Sequence, residues 1–392
     1  MKYIDEFRDG DRARALGRSI AAAADTDRDY RLMEFCGGHT HAVFRYGVPD
    51  LLPDNVELIH GPGCPVCVLP IGRLDMAVRL AAENPEVILA SYGDMLRVPG
   101  SKGVSLLKAK ADGADVRMVY SVSDALELAE ANPERQVVFF GIGFETTTPP
   151  TALGILQARD RGIDNFSVFC NHVLTPAAMN AILAVGEGEQ PVEVDGFIGP
   201  AHVSVVIGSD AYRFCAAQHR KPVVIAGFEP LDVLQSILML IEQLNAGRAE
   251  IENQYTRAVT PVGNQRAQAI VQEVFERRPS FEWRGLGDIP ESALGIREEF
   301  AQFDAERRFE LRYQYARGTK SCDCPAILRG VKKPTDCKLF ATSCTPDNPL
   351  GSCMVSDEGA CAAYYTYGRF RQQAEAEHRQ RREEKRRAVR QG

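Results

Sequence analysis

The sequence predicts an α/β protein. We expect two similar parallel-sheet α/β domains that face a cleft, followed by a third, mainly helical and irregular domain. Short β-branched runs alternate with amphipathic segments between about Asn55 and Asp232, as in parallel strands connected by helices. Two of these strand–helix units share a pattern, which indicates an internal repeat. Beyond Arg317, six of the 11 cysteines crowd into an irregular stretch rich in Pro and Gly.

The strand predictions rest on apolar runs bounded by Gly, Pro or Asn. In chain order these runs are "VELIHGP", "EVILASYG", "VRMVYS", "QVVFFGIG", "FSVFCNH", "GFIGPAH" and "PVVIAGFEP". Between them, segments such as "IGRLDMAVRLAAEN" and "SVSDALELAEANP" repeat apolar residues at the spacing of an amphipathic helix. So many strands favour two sheets over one. Ligands of parallel sheets collect at the carboxyl ends of strands, where the Gly-rich loops with Cys and His stand.

The repeat joins "VELIHGPGCPVCVLPIGRLD" to "VDGFIGPAHVSVVIGSDAY". Each copy has an apolar strand, then Gly-Pro, then Cys64 or His202, and later an Ile-Gly that leads into a helix. If the copies belong to two related halves, we expect their Gly-Pro loops to face each other across a cleft.

These patterns divide the chain into five predicted ranges. Residues 1–54 form an N-terminal helical segment with the Cys36 loop, and residues 55–135 form the first α/β domain with the Cys-x-x-Cys motif. Residues 136–245 form the second α/β domain, and residues 246–370 form the cysteine-rich domain, which begins with a helical, charged stretch. Residues 371–392 are a charged C-terminal extension.

The composition and charge of the chain argue against several classes of function. The net charge of −7 gives no overall basic field for nucleic acid, and no apolar run is long enough to span a membrane. The N-terminal stretch is charged and lacks the apolar core of a signal peptide, so we expect a cytoplasmic protein. Eleven cysteines in a reducing compartment favour metal or redox chemistry over a disulfide scaffold.

The late cysteines are spaced unevenly and contain no Cys-x-x-Cys pair, which argues against a zinc ribbon. Thiolates bind soft metals, and iron–sulfur clusters are usually held by four of them. Because a cluster needs four of the six thiols, the other two remain for another role, such as a disulfide beside the cluster. The alternative is structural zinc with spare thiols. The set is Cys322, Cys324, Cys337, Cys344, Cys353 and Cys361.

The stretch "HGPGCPVC" places Cys64 and Cys67 at the spacing of a redox pair, or of half a metal site. Cys36 in "CGGHTH" is followed by two glycines that let the backbone approach a ligand closely. In an extended segment His39 and His41 would point to the same side, so both could aim at the site, or one could only make a structural hydrogen bond. The alternative is that "CGGHTH" is simply a tight turn.

A further motif, "GIGFETTTPP", follows the strand "QVVFF". It lacks the endings of a P-loop and of a dinucleotide-binding loop, so neither ATP nor a dinucleotide is supported. Glu145 and the threonines after it could open a helix and present N–H groups to an anion, or could act only as an N-cap.

At these motifs the sequence resembles the HypD family of hydrogenase maturation factors. The resemblance covers nearly the whole chain. It rests on "CGGHTH", "GPGCPVC", "GFETTTP", "GPAHVSVVIG" and "PTDCKLF…CTPDNPLGSCMVSDEGACAAYY". It implies two similar α/β domains plus a third that bears a 4Fe–4S cluster. It also implies work in the cytoplasm with HypC and HypE, to build an iron group with two cyanides and one carbon monoxide for nickel–iron hydrogenase.

The resemblance also implies residue roles. Cys36 would hold the nascent iron with a cysteine of HypC, and Cys64 and Cys67 would be iron-site residues or a thiol pair that relays electrons. His39, His41, Glu145 and His202 could orient ligands or move protons, and the sequence assigns none of them a role. The implied cluster ligands are Cys322, Cys337, Cys344 and Cys361.

Cys324 and Cys353 would be a redox pair beside the cluster, as in ferredoxin–thioredoxin reductase. Pro325 stands where the usual Cys-x-Cys-Gly motif of the family has glycine. This departure leaves open whether Cys322 or Cys324 is the cluster ligand. The rival function is a self-contained thiol–disulfide oxidoreductase of the ferredoxin–thioredoxin type. A third possible function is that of an apolar α/β binding protein with structural zinc. This interpretation assigns no role to Cys36, Cys64 and Cys67.

Overall fold

The computed structural model describes residues 5–184, 192–318 and 320–368. Among them, no helix has both the length and the apolar character that a bilayer crossing requires. The predicted charged extension at residues 371–392 lies outside the described residues.

The strands are β1 (Tyr30–Glu34), β2 (Val56–His60), β3 (Val87–Ser91), β4 (Val116–Met118), β5 (Gln136–Gly143), β6 (Phe166–His172), β7 (Gly196–Pro200), β8 (Val223–Ala226), β9 (Ile251–Asn253), β10 (Phe275–Arg277), β11 (Ser280–Trp283), β12 (Gly287–Pro290) and β13 (Leu294–Ile296).

The α-helices are α1 (Gly10–Ala23), α2 (Gly37–Arg45), α3 (Pro65–Val68), α4 (Ile71–Glu83), α5 (Gly93–Arg97), α6 (Leu106–Ala111), α7 (Val122–Ala131), α8 (Thr148–Arg161), α9 (Thr175–Leu183), α10 (Ala201–Ile207), α11 (Arg213–His219), α12 (Pro230–Asn245), α13 (Gln265–Val274), α14 (Ala305–Arg308), α15 (Cys324–Leu328) and α16 (Ala360–Ala363).

Short 3₁₀ turns lie at Asp5–Phe7, Val48–Leu51, Ser101–Gly103, Ser209–Tyr212, Glu298–Phe303, Pro334–Asp336 and Ser352–Met354, and a π-helical turn lies at Tyr364–Gly368.

Two parallel sheets form the centre of the molecule. The larger sheet has the order β2-β1-β7-β8-β9 and the smaller has the order β4-β3-β5-β6. In the larger sheet Glu34 pairs with His60 on one side and with Ile198 on the other, so β1 and β2 end at the same level and β7 extends two residues further, to Pro200. This shared carboxyl edge carries the Cys36 loop, the Cys64 loop and the His202 turn.

The predicted α/β class with parallel sheets is confirmed, and each of the seven predicted strands is present. The sheets do not follow the predicted ranges, because strands distant in sequence pair with each other. The smaller sheet takes its strands from residues 87–172, so the predicted boundary after residue 135 falls inside it. The larger sheet combines residues 30–60 with residues 196–253, which includes part of the predicted 246–370 domain.

The predicted placement of the repeat is also wrong. Both Gly-Pro loops follow strands of the larger sheet, β2 and β7, which flank β1. They therefore lie at one edge of one sheet and do not face each other from two sheets. β1 itself was not predicted, because Arg31 and Glu34 interrupt its apolar pattern. Between residues 275 and 296, where the sequence indicated helix, the chain forms the strand pairs β10–β13 and β11–β12.

The irregular segment from Cys322 to Gly368 covers the carboxyl edge of the larger sheet. Its helix α16 packs on α2, and its 3₁₀ turn at Ser352–Met354 packs on α3. The same apolar core includes side chains of the larger sheet and buried cysteines of this segment. Burial of this shared apolar surface is what joins the cysteine-rich segment to the sheet.

Candidate functional site

Cys36 lies directly beyond the end of β1, as the N-cap of α2. Its backbone N–H donates to Oε2 of Glu34 over 3.1 Å, and the N–H of Gly37 donates to the carbonyl of Gly63 over 3.2 Å. A Cβ atom at Gly63 would overlap the backbone of Cys36. Glycine at position 63 therefore lets the Cys36 loop lie against the loop that carries Cys64.

Cys64 and Cys67 form a disulfide in this structure, with their Cα atoms 5.2 Å apart. Cys64 is the N-cap of the short helix α3, and Cys67 lies within that helix. The N–H of Cys67 lies 3.3 Å from Sγ of Cys64. Both are buried, with 4% and 0% of their surface exposed. In this form the two sulfurs are bonded to each other, so neither is free to bind a metal as a thiolate.

A cavity of about 10 Å³ lies at the meeting point of these loops and the cysteine-rich segment. Gly37, His60, Cys64 and Cys67 line it from the sheet side, and Glu358 lines it from the other side. The structure thus brings the loops of the three early cysteines to one small site.

The environment of Cys36 disfavours a free thiolate. Burial first, and then the negative charge of Glu358, raises the pKa of the Cys36 thiol well above its ordinary value. Burial also raises the pKa of Glu358. The thiol therefore stays protonated at neutral pH unless a cation arrives to stabilise its charged form.

His39 and His41 do not share a side, because "CGGHTH" forms the first turns of α2 and is not extended. His39 is fully buried, and its Nε2 donates to the carbonyls of Ala226 and Gly227 over 3.1 and 3.0 Å. Burial lowers the pKa of His39, so its ring is neutral. His41 is half-buried and its ring centroid lies 5.3 Å from that of Tyr367. The expectation for an extended segment is therefore wrong.

Glu145 and His202 occupy different surroundings. Glu145 is buried at the end of β5, and its carboxylate accepts hydrogen bonds from the N–H and the hydroxyl of Thr175, both over 2.8 Å. It therefore holds the start of α9, and burial raises its pKa to about 7. His202 is exposed on α10, and its ring stacks at 4.1 Å from Phe228, which also packs on His39. The structure brings His202 close to the Cys36 helix and leaves Glu145 in the smaller sheet.

Five of the late cysteines interact through thiol hydrogen bonds or through their charges and form what we call the thiol cluster: Cys322, Cys324, Cys344, Cys353 and Cys361. Cys324 exchanges thiol hydrogen bonds with Cys322, Cys353 and Cys361. Hydrogen bonds from Cys324 and Cys361 lower the pKa of Cys353. A Cβ atom at Gly351 would lie 2.5 Å from Sγ of Cys324, so this glycine keeps the space at the sulfurs open. Cys337 is buried in the same apolar core.

Arg284, at the end of the β11 strand, lies between the thiol cluster and α3. Its N–H and Nε donate to the carbonyls of Val68 and Leu69 over 2.8 and 2.9 Å. Its Nη2 is buried without a hydrogen-bond partner, and its charge interacts with Cys324 and Cys353. Burial is the largest effect on the pKa of Arg284 and lowers it. A guanidinium whose Nη2 has no partner beside thiols is suited to an anion held by those sulfurs.

A direct contact joins the disulfide to the thiol cluster. The hydroxyl of Ser352 donates to the carbonyl of Cys67 over 3.0 Å, and Sγ of Cys67 lies 4.0 Å from the carbonyl of Ser352. Ser352 immediately precedes Cys353 in the chain. One residue therefore separates the two groups of sulfur atoms.

The residues of the thiol cluster fit an iron–sulfur group better than a single ion. Within the described ranges, no set of three or more His, Cys, Asp or Glu side chains is arranged to hold one metal ion. The donors at the thiol cluster are soft sulfurs, the preferred ligands of iron–sulfur clusters. The open space at Gly351 and the unpartnered Nη2 of Arg284 suit a larger anionic group.

Sequence reasoning missed four residues that build this site: Glu34, His60, Arg284 and Glu358. His60 had a usable signal, because it is the last residue of a strand directly before Gly-Pro. Glu34 had no such signal, because the strand that it ends was not predicted from the sequence. Arg284 and Glu358 lie in irregular segments of the sequence, and no neighbouring pattern of residues indicates that they belong to a site.

Comparison with known proteins agrees with this geometry. The family model HypD, described as "Hydrogenase formation hypA family", matches residues 11–368. The chain belongs to the HypD family. It is 69% identical over 373 residues to the hydrogenase maturation factor HypD of Azotobacter vinelandii, covering 95% of this chain and 98% of that protein.

More distant members are matched over the same length. The HypD of Cupriavidus necator is 63% identical, over 95% of this chain and 98% of that protein. The HypD of Escherichia coli K12 is 48% identical over 373 residues, 94% of this chain and 98% of that protein. The expected membership in this family of hydrogenase maturation factors is therefore confirmed.

Proposed function

We propose that this HypD-family chain works in the cytoplasm with a HypC-type chaperone and a HypE-type cyanide donor. Together they assemble the iron group with two cyanides and one carbon monoxide for nickel–iron hydrogenase. The observation that carries the proposal is that the Cys36 loop and the Cys64–Cys67 disulfide line one small cavity beside the thiol cluster. Iron and its diatomic ligands are the cargo of this site.

Cys36 is the residue that receives the iron in this proposal. Its thiol is protonated in the absence of a cation, because burial and Glu358 oppose the charged form. Ferrous iron would displace this proton and bind the thiolate, together with a cysteine thiolate from the HypC-type partner. A site shared by two proteins can release its iron when the partner leaves. His41 lies on α2, the helix that Cys36 caps, and His202 lies on α10, where both are available to contact ligands of the iron.

In this proposal Cys64 and Cys67 alternate between a disulfide and two thiols. Cys322, Cys337, Cys344 and Cys361 would hold a 4Fe–4S cluster, with Cys324 and Cys353 as an adjacent redox pair. When bound, the cluster supplies single electrons. Arg284 would balance the negative charge of the thiolates, since its Nη2 is buried beside them with no other partner. Ser352 would hold the Cys67 loop against the Cys353 loop.

The second candidate function is a thiol–disulfide oxidoreductase of the ferredoxin–thioredoxin reductase type. The contact between Cys67 and Ser352 favours it, because it places a disulfide beside the residue that precedes Cys353. The two candidates differ at Cys36. An oxidoreductase has no need of a third thiol beside the disulfide, whereas an iron-assembly site requires one.

Infrared spectra of protein purified anaerobically with a HypC-type partner separate the candidates. We expect cyanide and carbonyl stretches in the wild type, and their loss in the Cys36→Ala variant. Cys215→Ala is the matched control, because Cys215 is a buried cysteine of α11 that we expect to be dispensable.

Stretches that persist in Cys36→Ala would overturn the role of Cys36. Iron at the stoichiometry of a cluster, with no stretches at all and rapid reduction of a protein disulfide, would favour the oxidoreductase.

A further inference from the structure

We propose that residues 311–318 form a docking surface for an extended, acidic segment of a partner protein. This stretch, which we call the basic segment, leads from α14 towards Cys322, the first residue of the thiol cluster. The partner segment lies along it as an added β-strand and places its carboxylates on exposed arginines. The inference goes beyond the proposed iron assembly and does not depend on it.

The basic segment is an extended stretch of chain. Neither helix, turn nor bend occurs from residue 311 to residue 318. Within the described part of the chain, no backbone group of residues 312–318 forms a hydrogen bond with another backbone group. Extended backbone with unpaired N–H and C=O groups is the template to which a further strand adds.

One side of the basic segment is held against the protein. The carbonyl oxygen of Gln314 lies against Gly72 at the start of α4, where a Cβ atom would be 2.1 Å from it. The hydroxyl of Tyr313 donates to the carboxylate of Glu282. Backbone groups of successive residues in an extended chain point to opposite sides, so we expect those of Tyr313 and Tyr315 to face away from α4. The segment is therefore anchored on one side and open on the other.

The exposed side chains of the basic segment are those of a protein interface. Tyr313 and Tyr315 are 41% and 67% exposed, and Arg312 and Arg317 are exposed on either side of them. Tyrosine and arginine are enriched in protein interfaces and among the residues that carry most of the binding energy.

Charge selects the occupant of this surface. Between residues 310 and 320, three cations stand against one carboxylate, in a chain whose net charge is −7: Arg312, Arg317, Lys320 and Glu310. Along the described chain, salt bridges involve Arg307 and then Lys332, and none involves these three cations. An acidic segment complements them, whereas the basic C-terminal residues 371–392, or the same segment of a second copy, bring like charge. The negative net charge disfavours nucleic acid.

The experiment measures binding to the full-length protein. The probe is a short fluorescein-labelled peptide of alternating valine and glutamate, titrated at low salt and followed by fluorescence anisotropy. We expect saturable binding that is about tenfold weaker in Arg312→Glu/Arg317→Glu, because charge reversal replaces two attractions by repulsions. Arg18→Glu/Arg266→Glu is the matched control, since it makes the same charge change at exposed arginines of α1 and α13. We expect it to leave the affinity unchanged.

A second probe tests the added strand in the wild-type protein, where no variant has to fold. The same peptide is made with N-methyl groups on alternate residues, in both registers, so that it keeps its charge and loses one row of N–H donors. We expect one of the two registers to bind about tenfold more weakly than the unmodified peptide. Amide hydrogen exchange of residues 312–318 should slow when the unmodified peptide binds.

Absence of saturable binding by the valine–glutamate peptide would overturn the inference, and so would equal affinities in the two double variants. Equal binding of the unmodified and both N-methylated peptides would reject the added strand. A dimer in analytical ultracentrifugation that dissociates in Arg312→Glu/Arg317→Glu would assign the surface to a second copy. Tighter binding of an oligothymidylate, with the same dependence on these arginines, would assign it to nucleic acid. Either assignment would overturn the proposal.

Discussion

The two parallel sheets bury ionisable side chains in different ways. Next to the smaller sheet, Arg73 and Arg278 both donate to the carboxylate of Glu306, and Arg73 also bonds to Asn171. At the carboxyl edge of the larger sheet and beside the thiol cluster, His39, His60 and Arg284 are among the side chains that bury a nitrogen without a hydrogen-bond partner. Loss of one partner from a buried ion pair is strongly destabilising, and a buried polar nitrogen without any partner is retained at a cost in stability.

This difference between the two sheets indicates which region of the protein carries the candidate functional site. Although burial opposes ionisation, hydrogen bonds from Arg73 and Arg278 lower the pKa of Glu306 to about 2. That ion cluster is therefore permanently charged and has no free position for a ligand. The unpartnered nitrogens instead surround the three groups of cysteines.

Removal of Glu306 is expected to give the largest effect on stability. Glu306→Ala leaves Arg73 and Arg278 buried without their carboxylate, which costs about 3–5 kcal/mol of unfolding free energy. Urea denaturation followed by circular dichroism measures it. Arg277→Ala is the control, because its ion pair with Glu291 is exposed and is worth at most about 1 kcal/mol. Similar losses in both variants would contradict the contrast drawn between the sheets.

Glu145 is expected to give the next largest effect, through pH. Burial raises its pKa from 4.5 to about 7 in the folded chain, so the folded state binds the proton more tightly than the unfolded state. The contribution of Glu145 to the free energy of unfolding is therefore fully present below about pH 4.5 and is lost as the pH rises to about 7. The loss is about 3 kcal/mol of unfolding free energy.

Denaturation midpoints across this pH range measure that loss. In Glu145→Gln the side chain cannot ionise, so the wild-type decline between these pH values should be reduced by the same amount. A wild-type chain with the same pH dependence as the variant would show that Glu145 does not titrate in this range.

Arg284 is expected to give the smallest effect on stability and a distinct effect on metal content. Arg284→Met keeps the apolar length of the side chain and removes a hydrogen bond to Leu69, so we expect a loss of about 1 kcal/mol. Removal of the positive charge should lower the iron retained per chain after anaerobic reconstitution with ferrous iron and sulfide. Iron analysis and urea denaturation measure the two effects.

Arg308→Met is the matched control for Arg284, because this half-buried arginine donates to the Phe166 carbonyl near the smaller sheet. We expect it to leave iron retention unchanged. A large stability loss in Arg284→Met with normal iron retention would assign Arg284 to the structural group with Arg73.

Much of the fold and half of the candidate site were predictable from local sequence. Alternating apolar runs and amphipathic segments gave the strands and helices, because residue periodicity reports which face of an element is buried. The Gly-rich loops marked Cys36, Cys64 and Cys67, since glycine and proline punctuate the chain at strand ends. The crowding of the late cysteines marked the thiol cluster. The orientation of His39 and His41 was not predictable, because it depends on whether "CGGHTH" is helix or extended chain.

Sequence by itself determined the α/β class, the positions of seven strands, the cysteine-bearing loops and the family. Only the tertiary structure decided that β1 pairs with both β2 and β7, that Glu34 meets His60, and that Arg284 reaches the chain at Leu69. These contacts join residues between 26 and 215 positions apart. The physical reason is that periodicity and turn chemistry are local, whereas strand register and the docking of distant segments depend on burying complementary surfaces of the whole chain.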